Sequence, residues 1–169
     1  MELPGSSYLL GLATICITFV SVSTVAFVFR QAMGSGMSHL EILLIRTFVR
    51  TGLGATLFSL LPLLLGLLAV APSVVWRVSS LLLALAHLNG MLSYRRSRAG
   101  LQGLTSPSFF YALIAISIAI IIGLLINAVG LWVEPNAGLY ALGATWILAQ
   151  SMIMFIGALR IFLDPLEKK

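Results

Sequence analysis

From Thr51 to Trp76 the chain carries no charged side chain at all. A water-soluble helix or strand needs a polar side, and a run of this length has none to offer. About 20 apolar residues suffice to cross roughly 30 Å of hydrocarbon as an α-helix. The run is expected to form such a helix. It is one of several: residues 8–29, 51–70, 74–94, 108–131 and 139–159 all read as spans. The expected fold class is therefore all-α: a polytopic integral membrane bundle of five transmembrane helices, with residues 1–169 forming one transmembrane domain.

Composition agrees with the run. The chain is 60% hydrophobic and 9% charged, with a mean hydropathy of +1.09, whereas a soluble domain carries about a quarter charged residues. The net charge of +5 would suggest nucleic acid in a soluble protein. Here the cations flank apolar runs, so topology is the better reading and no nucleic-acid partner is expected. Cys16 is the lone cysteine, which excludes an intrachain disulfide and any cysteine-based metal cluster. The first apolar stretch exceeds the usual hydrophobic region of a signal peptide, and its leading residues hold Glu2 but no Lys or Arg. It is expected to stay as a span.

Five spans place the two termini on opposite sides. With the C-terminus inside, the inner segments hold Arg30, Arg46, Arg50, Arg95, Arg96, Arg98, Arg160, Lys168 and Lys169, and the outer ones hold Arg77 alone. The positive-inside rule thus predicts N-out, C-in. The expected location is a bacterial inner (plasma) membrane. Partition into four spans, with a re-entrant piece in place of the turn at 71–73, would scatter the basic loops over both sides.

The stretch 39–50, HLEILLIRTFVR, holds an imidazole, a carboxylate and two guanidiniums at the start of the second span. At roughly 100° per residue, His39, Arg46 and Arg50 fall within about 40° of one another. A helix over 40–70 would measure about 46 Å, well beyond the hydrocarbon. The first turns are expected to protrude, or to bend along the interface near Gly52-x-Gly54, with the arginines snorkelling to phosphates. Arg46, Arg50, Arg95, Arg96 and Arg98 form the expected headgroup-facing collar. Their partners would be membrane lipids, anionic headgroups on the inner face above all.

Helical spacing also marks faces of small and polar residues. Ser7, Gly11, Thr14, Thr18 and Ser21 share one side of the first span. Such faces serve as helix–helix seams or, less often, as pore linings. Ala119, Gly123, Asn127 and Gly130 repeat the pattern in the fourth span, with Asn127 near the outer end where water could reach it. Gly143, Gln150, Met154 and Gly157 do so in the fifth.

Counting at 1.5 Å per residue puts His87 close to the bilayer centre. Thr18, Ser59, Ser117 and Gln150 fall at similar depths, so these five residues form a candidate polar layer. An ionisable side chain at that depth is a functional candidate by default. Two readings stand: a neutral His87 that fixes helix register through Gln150 or a hydroxyl, or a titrating His87 that relays protons or gates a path.

No catalytic constellation is legible. The acids Glu2, Glu41, Glu134, Asp164 and Glu167 all fall at span ends or loops, so no intramembrane carboxylate pair exists within one chain. His39 and His87 lie at different depths and make a poor haem pair. No metal-ligand spacing or nucleotide-binding glycine motif occurs, and no cofactor or metal is expected. The leading expectation is a non-enzymatic assembly, scaffold or regulatory component in a homo- or hetero-oligomer. The alternative is a homo-oligomeric channel or small transporter built around His87 and Gln150.

Overall fold

The computed structural model describes residues 3–32, 39–98, 107–131 and 134–167. Five α-helices account for them: α1 Ser6–Ala32, α2 His39–Leu67, α3 Pro72–Arg98, α4 Pro107–Val129 and α5 Ala137–Glu167. No strand occurs among the described residues. All five helices are long and apolar enough to cross a membrane, which marks an integral membrane protein with an all-helical transmembrane bundle.

The turn between α2 and α3 is real but sits a little earlier than expected. Leu68 and Ala69 donate backwards to Leu65 and Gly66, and Ala69 takes a left-handed φ of 55°. Pro72 then opens α3 at a position where a missing N–H costs nothing, and Val74 and Val75 donate to the Ala71 carbonyl. α2 runs through Gly52 and Gly54 as one uninterrupted helix, so the stretch 39–50 and the span behind it are a single rod.

Neighbours in the chain run antiparallel. α2, α3, α4 and α5 close a four-membered ring in which α2 and α4 face each other without contact. α1 packs outside that ring, against α2 and α5, and α5 touches every other helix. Apolar side chains gain little from leaving lipid for a helix interface, so shape decides which faces meet. Gly52 lets Val20 of α1 sit where a Cβ would overlap its Cγ2, and Gly143 admits Leu124 of α4 in the same way, with 2.9 Å left for a Cβ.

Between the helices a core of Leu9, Cys16, Trp76, Leu83, Leu124 and Tyr140 is fully or almost fully buried. Nearer the end that carries Arg46, Arg50 and Arg95, Phe19 meets Phe48 and Phe155 edge-on, with centroids 5.3 and 5.1 Å apart. Phe27 joins both partners. Edge-to-face pairs of this kind add about 0.5–1.5 kcal/mol each.

Among the described residues, the small-residue face of α1 lies on the outside of the bundle. Ser7, Gly11, Thr14, Thr18 and Ser21 are all exposed, while Leu9, Leu12, Cys16, Val20 and Phe27 turn inward. The hydroxyls of Thr14 and Ser21 are satisfied by the carbonyls of Leu10 and Ile17 on their own helix, so they need no partner.

Asn127 also departs from expectation, being fully buried instead of wetted. Its Nδ2 donates to Ser80 Oγ and to the Asn136 carbonyl, and its Oδ1 accepts from the Asn136 amide. Asn136 in turn caps α5 by accepting from the Leu139 amide. One side chain thereby ties α3, α4 and the α4–α5 turn together. Gly130 ends α4 in the left-handed conformation (φ 77°), as helix C-termini favour. The Arg77 guanidinium packs beside it, a cation at the negative end of the α4 dipole.

Candidate functional site: a one-ended vestibule in the bundle

Because α2 and α4 stay apart, the ring encloses a cavity of about 500 Å³ in its basic half. That lies within the usual range of small-molecule sites, roughly 300–1,000 Å³. Each wall is one helix face. α2 contributes Thr47, Arg50, Gly54 and Phe58, at spacings of three and four; α3 contributes His87, Gly90 and Tyr94 on the same rule. Leu113 and Ser117 of α4 and Ile147, Gln150 and Met154 of α5 complete it. Gly54 and Gly90 keep it open: a Cβ on either would meet nothing within 4 Å.

The inner end is polar. Gln150 Nε2 donates to Ser117 Oγ at 2.8 Å, and Trp146 Nε1 donates to the same oxygen at 3.2 Å. Ser117 passes its own proton to the Leu113 carbonyl at 2.8 Å, so its hydroxyl is saturated. His87 stands on the facing wall, 8% exposed, and its buried Nε2 has no hydrogen-bond partner among the described residues. The expected bond from His87 to Gln150 or a hydroxyl is not formed at that nitrogen, because Gln150 is turned to Ser117 instead.

The mouth is basic. Arg46, Arg50 and Arg95 line it and are exposed, and among the described residues no Asp or Glu lines the cavity. Beyond the inner end the bundle closes. Tyr140 donates its hydroxyl to the Phe58 carbonyl, its ring packs against Trp76, and Leu83 and Leu124 fill the space between. The vestibule thus enters from one end and stops at a packed layer.

Of the five residues placed at one depth by counting, the structure brings His87, Gln150 and Ser117 to the cavity. Thr18 lies on the exposed face of α1, and Ser59 is buried with its hydroxyl on the Ala55 carbonyl. Depth along a helix follows from residue number, but direction around it does not, and these two point elsewhere. Of the five arginines of the collar, Arg46, Arg50 and Arg95 turn to the vestibule. Arg96 is exposed off it, and the side chains of Arg98 and His39 lie outside the described residues.

Sequence reasoning passed over Asn89, Ser93, Tyr94 and Thr47, which also line the cavity. The spacing His87, Met91, Arg95 along one side of the third span was the available signal. Among the described residues no three His, Cys, Asp or Glu side chains come together to hold a metal ion. Comparison with protein-family models, with curated proteins and with solved structures finds no match to this chain.

Proposed function

We propose that the protein is a small, non-enzymatic solute-handling component of the membrane, a carrier or channel subunit whose site is the vestibule. The observation that supports this reading best is the cavity of about 500 Å³ inside the bundle, whose wall carries both His87 and Gln150. An ionisable side chain within a membrane span is a functional candidate by default. The positive-inside rule turns the basic mouth to the cytoplasm, of a bacterial inner membrane in this reading. A solute entering there would reach His87 and Gln150 and then the closed layer of Phe58, Tyr140 and Trp76. Passage requires that layer to part, with the Tyr140–Phe58 bond as its clasp.

The test is flux in proteoliposomes. Wild type passes ions, protons or a small solute, and His87→Ala alters that flux or its pH dependence. Absence of flux over a broad panel of anions, cations and neutral solutes overturns the reading.

A second reading, an assembly or regulatory component in a homo- or hetero-oligomer, draws on the outward face of α1. Ser7, Gly11, Thr14, Thr18 and Ser21 give a flat strip along which another helix can approach closely. Thr14→Cys or Thr18→Cys then crosslinks efficiently in mild detergent, whereas buried Cys16 does not. A strict monomer that captures no partner in cells removes it.

A further inference from the structure

We propose that the mouth of the vestibule binds a phosphate group, held between Arg46 and Arg50 of α2 and Arg95 of α3. This names the substrate class for the site above and rests on the solute-handling reading for the fate of the bound compound.

Three permanently charged guanidiniums share one cavity, and no carboxylate is found in its lining among the described residues. Arg46 and Arg50 stand one helical turn apart on α2, where like charges repel. α3 runs antiparallel beside α2, so Arg95 reaches the mouth from the neighbouring wall. An anion between them relieves the repulsion and uses all three side chains. A tetrahedral phosphate offers enough oxygens for several planar forks, while a carboxylate is filled by one.

The rest of the cavity suits an organic body attached to that phosphate. Its volume of about 500 Å³ exceeds what a bare anion needs. Ile114, Ile153 and Met154 supply apolar wall, and His87 and Gln150 supply polar groups. Both a soluble phosphate ester and a lipid headgroup carry the required chemistry. Arg96, exposed on α3 but off the cavity, is the internal control: attraction to a lipid surface alone would use it as readily as Arg95.

The experiment is thermal melting of the purified full chain in uncharged detergent. The probes are inorganic phosphate, glycerol 3-phosphate and mixed micelles containing phosphatidic acid, against chloride at equal ionic strength. A phosphate probe is expected to raise the melting temperature saturably where chloride does not. Arg50→Gln and Arg95→Gln each weaken that response about tenfold or more, as loss of a charge-assisted pair does, and Arg96→Gln leaves it unchanged. The three arginines are exposed, so these substitutions spare the core, and unliganded melting confirms it. A response to either free probe assigns a soluble phosphate compound; a response to phosphatidic acid alone assigns a lipid headgroup. No response beyond chloride overturns the proposal, as does an Arg96→Gln effect equal to that of Arg95→Gln. Phosphate binding without solute flux keeps the site and removes the transport reading. Flux without phosphate binding does the reverse.

Discussion

The hydroxyl of Tyr140 on α5 donates to the carbonyl of Phe58 on α2, the carbonyl that Pro62 deprives of its helical donor. Proline has no N–H, so the carbonyl four residues earlier is left open inside hydrocarbon, where no water can fill it. Tyr140→Phe keeps the ring against Trp76 and removes the bond, and is expected to destabilise the bundle by about 0.5–2 kcal/mol. In a Pro62→Ala background residue 62 can donate to Phe58 itself, and the same change becomes nearly neutral. A double-mutant cycle in detergent measures the coupling, and strict additivity refutes the link.

Close helix approach at Gly52 and Gly143 sets a second expectation. Gly52→Ala drives a methyl into Val20, and Gly143→Ala into Leu124. Each is expected to cost about 1–3 kcal/mol as overpacking, offset in part by alanine's better helix propensity. Gly54→Ala meets nothing within 4 Å and gains up to about 1 kcal/mol of helix propensity. Val20→Ala rescues Gly52→Ala but not Gly143→Ala if the contact is the cause.

Asn127→Leu strips Ser80 and Asn136 of their partner. Buried groups left unpaired cost about 1–3 kcal/mol each, so the melting temperature falls and the α4–α5 turn opens to protease. Retained protection of that turn would show that Gly130 and Asn136 hold it unaided.

Cysteine labelling reads both the vestibule and the orientation. Cys16 is buried, so the native chain should ignore an impermeant maleimide. Gly90→Cys and Ser93→Cys, on the vestibule wall, should react from the cytoplasmic side alone, and Ser80→Cys from neither side. Reaction of Gly90→Cys from outside reverses the proposed topology, and reaction from neither side closes the vestibule.

Ala69 holds a left-handed φ of 55° in the α2–α3 turn, a conformation that costs an L-residue roughly 1–2 kcal/mol. Ala69→Gly is therefore expected to raise stability by up to about 1 kcal/mol, the gain being reduced by glycine's freer unfolded chain. An unchanged or lower melting temperature would place no strain at that turn.

His87 illustrates how far a sequence reaches toward a site. Its depth follows from its place in α3, and so does its company of small residues. That Ser117 takes Gln150 away from it depends on how α4 and α5 rotate against each other, which no count of residues contains. Arg46 and Arg50 show the same gap: their shared side of α2 was legible, but a vestibule facing that side was not.

What the residues alone determined is what solvent and local chemistry impose. Long uncharged runs must be helices in lipid, and most basic residues collect at one end of the bundle. The tertiary structure decided rotation: which side of α1 packs, which arginines line the cavity mouth, and where Asn127 is buried. In water, burial of apolar surface would have chosen those faces and left its pattern in the sequence. In lipid nearly every face is apolar, so shape and a few hydrogen bonds make the choice, and they exist only once the helices meet.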